Sequence, residues 1–344
     1  MKYCAIALCI CLFRVAVASE ADVLAALKAE KIPLEAQLLT GEALVKYLRE
    51  NQKFFKVGTT SKYKETMHKV MNAKFRNQNR RPPVENEEDS GKDIPESFDG
   101  REVWKNCSSL FNIRDQSNCG SCWAVSSSAA MSDRTCIASK GVKQVEISAE
   151  DIMTCCTDCG DGCDGGWPIE AFRYFQDTGV VTGGNYGTTG SCRPYEIHPC
   201  GHHGNETFYG ECYDTAETPK CKKRCVPDYK KSYRMDKFYG KTAYQLPNSV
   251  KDIQRDIMKN GPVVAGFDVY ADFHEYTSGI YKHTGGPLLG GHAVKVIGWG
   301  KEGDVPYWII ANSWHSDWGE NGYFRMIRGI NNCGIEEEVV AGLV

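Results

Sequence analysis

Along this chain the spacing of hydrophobic residues changes character once, and the change divides the sequence. In "EADVLAALKAEKI" and "TGEALVKYLRENQKFF" apolar residues return every three or four positions, with Leu44, Tyr47 and Leu48 on one face, so both predict amphipathic helices. Thr40 before "GEA" reads as a helix start. "CWAVSSSAAMSDRTCIAS" predicts a helix beginning near Cys122, and "SAEDIM" offers Ser148 as N-cap with Asp151 three residues on. "PIEAFRYFQDTG" opens on Pro168 and stops at Gly179. "NSVKDIQRDIMKNGP" sets Val250, Ile253 and Ile257 on one face of a further helix. Beyond Gly261 the period shortens to two: "PVVAGFDVY", "HAVKVIGWG", "PYWIIANSW" and "GYFRMIRG" predict strands. Helices followed by strands indicate an α+β chain with two halves around a cleft. Between the halves, residues 182–225 are rich in Gly, His and Cys and show no periodicity.

The N-terminus follows a different rule. Lys2, an apolar run from Tyr3 to Phe13 and small residues up to Ala18 and Ser19 predict a secretory signal over 1–18, and Arg14 interrupts the run before it could span a bilayer. No later stretch is long and apolar enough to cross a membrane, so the expectation is a secreted or lysosomal protein in a disulfide-permitting compartment. Residues 20 to about 93 contain no cysteine and end in "NQNRRPPVENEEDSGKD", a polar, Pro-bearing stretch with the composition of a cleavable linker. A cysteine-free helical piece tied by such a linker to a cysteine-rich body predicts a removable propeptide over 19–93 and a main domain over 94–344; an independent small domain is the alternative. A net charge of −3 implies no general attraction to nucleic acid or membrane.

Cysteine arithmetic raises a sharper question. Three of the seventeen cysteines leave with the signal, and fourteen remain. If one stays free for chemistry, thirteen are left, and an odd number requires a second unpaired residue; Cys333, isolated in "NNCGIEE", is the natural candidate. "RDQSNCGSCWAV" places Cys119 and Cys122 three apart ahead of a helix, which suits a redox pair, two metal ligands, or a structural cysteine beside a nucleophile. A thiol nucleophile at Cys122 would gain from the helix N-terminus and needs a base and oxyanion donors. "HAVKVIGWG" and "PYWIIANSW" read as a hairpin; a turn centred on Glu302 gives opposite residues a constant index sum of 604, which puts His292 directly across from Asn312. His292 could then take the thiol proton, Asn312 orient the ring, and the Gln116 side-chain amide join the Cys122 backbone N–H at an oxyanion.

"QSNCGSCW", "GHAVKVIGWG" and "YWIIANSWHSDWGENGYF" together resemble the three catalytic blocks of papain-like cysteine peptidases, and the likeness runs from Ile94 to the C-terminus. "CGSCW" and the Cys–His–Asn triad are among the general examples of that chemistry. The resemblance implies a papain-like two-domain fold: a helical left domain and a β-barrel-like right domain with the active-site cleft between them. It assigns Cys122 as nucleophile, His292 as general base, Asn312 as orienter and Gln116 as oxyanion donor. It implies no metal and no organic cofactor. Its expected partners are protein and peptide substrates, the chain's own propeptide as inhibitor, and cystatin-type inhibitors.

One spacing departs from the pattern. His292 and Asn312 lie 170 and 190 residues beyond Cys122, against about 130–150 in the family signature. The surplus falls between Cys192 and Cys225, a stretch that resembles the occluding loop of the cathepsin B-like branch. That likeness implies that His202 and His203 receive a substrate's C-terminal carboxylate, making the enzyme a peptidyl-dipeptidase as well as an endopeptidase. It pairs Asp115 with His202, as a clamp that holds the loop shut in acid. The branch's second clamp joins a loop arginine to the aspartate matching Asp317, yet no arginine lies between His203 and Cys212. By the same likeness Gly165, Gly166 and Pro168 wall the cleft, Ala293 lines the pocket for the residue two before the cut, and Glu338 closes its bottom, where it would accept Arg. Without the resemblance Glu338 would read as a solvated terminal charge. Trp314 and Trp318 would flank the asparagine and the far side of the cleft.

The resemblance also implies the bridges Cys107–Cys136, Cys119–Cys163, Cys155–Cys221, Cys156–Cys159, Cys192–Cys225 and Cys200–Cys212, which leave Cys122 and Cys333 free. Asn106 and Asn205 stand in glycosylation sequons. "YWIIANSWHSDWGE" is similar to a pattern in enzymes of blood-feeding helminths, where digestion of haemoglobin in the gut is the supposed role. Three rivals stand beside this reading. A thiol oxidoreductase needs a strand upstream of Cys119, and 98–140 shows none. A zinc protein would use "CCTDCGDGC" and "HPCGHH", but the spacing is irregular and secretion favours disulfides. A catalytically inactive binding homologue usually lacks the nucleophile, whereas Cys122, His292, Asn312 and Gln116 are all in place.

Overall fold

The computed structural model describes residues 19–58, 63–76, 94–203 and 207–344. The signal expected over 1–18, the linker beyond Arg76 and the Asn205 sequon lie outside the described residues. Helices α1 (Glu20–Ala29) and α2 (Gly41–Asn51) and strand β1 (Phe55–Val57) form the N-terminal segment. Leu44, Val45 and Leu48 on α2 are buried, so this helix docks its apolar stripe, whereas α1 buries no residue.

The first half of the main body is built around α3 (Cys122–Ala138), with every residue from Cys122 to Cys136 buried. A helix surrounded on all sides must satisfy its polar groups internally. The hydroxyls of Ser126, Ser127, Ser132 and Thr135 do so, each donating to the carbonyl four residues earlier at 2.7 Å. Helices α4 (Ala149–Cys155), capped by the Ser148 side chain, and α5 (Pro168–Asp177) pack against it around Trp123, Ile152, Phe172 and Phe175.

The second half carries α6 (Val250–Asn260) and the strands β2 (Val263–Tyr270), β3 (Tyr276–Tyr281), β4 (Leu288–Glu302), β5 (Val305–Ala311), β6 (Tyr323–Ile327) and β7 (Glu338–Ala341). Their order in the sheet is β1-β3-β6-β5-β4-β2-β7, so the N-terminal segment supplies an outer strand beside β3. Buried ion pairs tie the halves together, among them Arg134 on α3 with Asp256 on α6. Lys295 on β4 meets Asp133 on α3 at 2.6 Å, three residues from His292, so the helix that begins at Cys122 and the strand that holds His292 are fixed to each other.

The hairpin register differs from the expectation. The turn is the two residues Gly303–Asp304, with Gly303 at φ +58°, and Glu302 faces Val305. A bulge between Val296 and Gly298 then moves the pairing to Lys295 opposite Ala311. His292 is therefore not directly opposite Asn312, which lies one residue beyond the end of β5; the two meet diagonally across the strands, and the ring spans the gap.

Among the described residues six disulfides join Cys107–Cys136, Cys119–Cys163, Cys155–Cys221, Cys156–Cys159, Cys192–Cys225 and Cys200–Cys212, and Cys122 and Cys333 are free. Cys119 is thus occupied by a distant partner, which removes the redox pair from the motif that suggested it.

Candidate active site

Cys122 is the first residue of α3, and no charged side chain stands in that helix's first turn. Its thiol is fully buried and within hydrogen-bonding reach of the Ala293 backbone, next to His292. His292 Nε2 donates to Asn312 Oδ1 at 2.8 Å, and Nδ1 has no hydrogen-bond partner. That bond selects the tautomer: the proton sits on Nε2 and the Nδ1 lone pair is left for a thiol. Trp314 covers the pair, its ring centroid 5.0 Å from that of His292, and Trp318 packs on Trp314 at 5.2 Å. Burial pushes the Cys122 thiol up to about 12, against a pull from the backbone amides of Ala293, Trp123, Cys122 itself and Met71. Burial also lowers His292 to about 4, opposed by its hydrogen bond to Asn312. Both groups are neutral in this state.

The N-terminal segment is what buries them. Gln116 Nε2 donates to the Lys69 carbonyl and to the Cys119 carbonyl, both at 2.7 Å, while its Oε1 accepts from Ser313 at 2.6 Å. The expected oxyanion donor is thus engaged by a carbonyl of the chain's own N-terminal part. Met71 and Gly291 exchange backbone hydrogen bonds at 2.9 and 2.8 Å, and the Asn72 N–H donates to the Asp164 carbonyl at 2.9 Å. A Cβ on Gly165 would run into the Phe75 ring, and one on Gly166 would meet Trp123 at 2.5 Å, so these two glycines make room for the segment and for the helix behind it. Pro168 is buried at the start of α5. Arg76, buried, ends the crossing: its Nε lies 2.9 Å from Asp268 Oδ1 and its Nη1 2.6 Å from Glu338 Oε2. Glu338 is buried at the head of β7, not a solvated terminal charge, and Ala293 faces Gly266 across the sheet.

Residues 94–343 match the papain family cysteine protease profile. The chain belongs to that family. Over 348 residues, covering all of both chains, it is 62% identical to cathepsin B-like cysteine proteinase 1 of Ostertagia ostertagi. It is 58% identical over 347 residues to cathepsin B-like cysteine proteinase 2 of Haemonchus contortus, covering all of this chain and 98% of that one. Its structure is similar to procathepsin B S9 from Trypanosoma congolense, with a TM-score of 0.74 at 36% identity, over 90% of this chain and 99% of that one. It is a cathepsin B-like cysteine peptidase made as a proenzyme, with the papain-like α+β fold. Among the described residues no helix is long and apolar enough to cross a membrane.

In this cathepsin B-like peptidase the loop clamp departs from expectation. His202 does not face Asp115; it is exposed, with its ring 4.6 Å from that of Phe208. His203 is the buried one, with Nε2 3.5 Å from Asp115 and Nδ1 3.4 Å from Asp317. The two histidines form a short strand paired with Thr207–Phe208, and successive side chains of a strand point to opposite faces, so only one of them can meet the body. His203 thereby reaches both carboxylates, and Asp317 has a partner without the missing arginine. His315, which the sequence did not single out, has its ring centroid 4.1 Å from that of His203, the planes tilted by 46°, and meets Asp317 at 2.6 Å. Ligand atoms of His203, His315 and Asp317 all lie within 4.8 Å of one another, the one group of three or more His, Cys, Asp or Glu side chains among the described residues placed to hold a metal ion. Asn106 is exposed.

Sequence reasoning missed Lys69, Arg76, Asp268 and His315. A carboxylate inside the apolar strand "VVAGFDVY" was a readable signal for Asp268; the other three lie in stretches without periodicity.

Proposed function

We propose that residues 19–93 are the inhibitory propeptide and that their removal frees a Cys–His–Asn peptidase site. His292 Nδ1 takes the Cys122 proton, and the thiolate attacks the scissile carbonyl carbon. Gln116 Nε2 and the Cys122 N–H hold the oxyanion, and the imidazolium protonates the leaving amine. Water, deprotonated by the same nitrogen, then hydrolyses the thioester and returns the thiol. The observation that carries this reading is the Lys69 carbonyl at the Gln116 amide: the side chain assigned to hold an oxyanion already donates to a peptide carbonyl. The crossing runs from Lys69 at this amide to Arg76 at the Glu338 pocket. A substrate places its N-terminal side in that pocket, so the propeptide lies in the opposite direction.

We assign the 192–225 loop, clamped through His203, to dipeptide release alongside internal cleavage, with His202 exposed at the cleft side to meet the terminal carboxylate. Digestion of haemoglobin in a helminth gut rests on the "YWIIANSWHSDWGE" pattern and would be checked by haemoglobin cleavage in acid. The test of the reading is stoichiometric alkylation: after processing, one equivalent of a thiol-directed peptidyl inhibitor should label Cys122 and abolish peptide hydrolysis. A processed chain that neither labels nor cleaves is an inactive binding homologue.

A further inference from the structure

Arg76 shows what the pocket beyond Ala293 accepts, and that pocket holds two carboxylates rather than one. Asp268 and Glu338 stand on adjacent strands of one sheet face: Glu338 pairs with Gly266, and Asp268 lies two residues beyond Gly266 on β2. The guanidinium spans them, Nε to Asp268 and Nη1 to Glu338. Its route is lined by residues without side chains. A Cβ on Gly266 would sit 2.5 Å from Nη1 and 3.0 Å from Glu338 Oε2. One on Gly291 would meet the arginine stem at 2.6 Å, and one on Gly334 would meet Nη2 at 2.9 Å. An apolar side chain here would leave two part-buried carboxylates without a cation, whereas a planar fork of N–H donors matches both.

We infer that Asp268, with Gly266, is a specificity-determining residue that makes this pocket a two-carboxylate guanidinium receptor, so that the enzyme prefers peptides with Arg two residues before the cut. This rests on the peptidase reading above. Glu338 closes the bottom, and Asp268 grips the guanidinium from the side at Nε, an atom that lysine lacks, so the preference extends to Arg over Lys.

The test uses the processed enzyme and three peptides identical except for Arg, Lys or citrulline at that position, citrulline being the neutral isostere of arginine. Wild-type enzyme should favour Arg over citrulline in kcat/KM, and Asp268→Asn should lower that ratio about tenfold, as loss of one charge-assisted hydrogen bond predicts. Asp268→Ser, with rates normalised to titrated active thiol, gives the same reading should the amide disturb folding. D268N/E338Q should bring the ratio to about 1, the full loss of a charge-based preference. An Arg-to-citrulline ratio that stays within twofold of wild type in D268N and D268S overturns the inference while leaving the peptidase intact. Failure of wild-type enzyme to cut any of the three peptides overturns both.

Discussion

Replacing Arg76 by Ala in the full-length proenzyme should unlatch the site. The Arg76 side chain is 3% exposed, Glu338 10% and Asp268 27%. Removing one partner of a buried ion pair costs about 3–5 kcal/mol, because the remaining charge is left desolvated. Water reaches part of Asp268, so the lower figure applies: about 3 kcal/mol, or roughly a hundredfold in the population of the open form. The assay is the rate at which iodoacetamide labels Cys122 in the intact proenzyme at neutral pH, with chain length checked by mass. Wild-type proenzyme should label very slowly, since its thiol is fully buried and pushed up to about 12. R76A should label about a hundredfold faster, in step with the open population. R76K keeps the charge but loses the fork and should fall between. Labelling of R76A within threefold of wild type would refute the claim that this pair holds the segment in the cleft.

Gln116→Ala in the processed enzyme should lower kcat by about 10²–10³, the usual loss for one oxyanion donor, with little change in KM. Lys295→Met leaves Asp133 buried without its cation and should cost about 3–5 kcal/mol in urea unfolding, part of which the double variant D133N/K295M should restore. His315 is raised above its ordinary value, chiefly by its hydrogen bond to Asp317. The folded form therefore holds that proton more tightly than the unfolded chain. The contact is at full strength below about pH 6.5 and is lost as pH rises through the raised value. Followed by NMR, the His315 imidazole should therefore titrate above its ordinary value in the folded enzyme, and D317N should bring it down; no change in D317N would refute the assignment. A thiol titration should find one reactive group in the native processed enzyme, Cys122, and two after unfolding without reductant, because Cys333 is the other free cysteine.

Elements with a strong period were legible from residues alone. The helix from Cys122, the Pro168 and Val250 helices and all four predicted strands stand where the spacing put them. The hairpin was found but misregistered, because a left-handed Gly303 tightens the turn to two residues and a bulge near Ile297 adds one. His202 and His203 are chemically identical neighbours; which of them meets the body depends on the face of a two-residue strand, and no local pattern encodes that. Arg76 lies 192 and 262 residues from its two carboxylates, beyond any local reading.

When the N-terminal segment is cut away, the sheet loses the outer strand Phe55–Val57 that lies along Tyr276–Tyr281. On the proposed processing, backbone N–H and C=O groups of β3 are uncovered together with Cys122 and Gln116, and an unpaired edge invites another strand. Loss of that strand would give the sheet an open edge along Tyr276–Tyr281, with the geometry to which an extended chain adds by backbone hydrogen bonding.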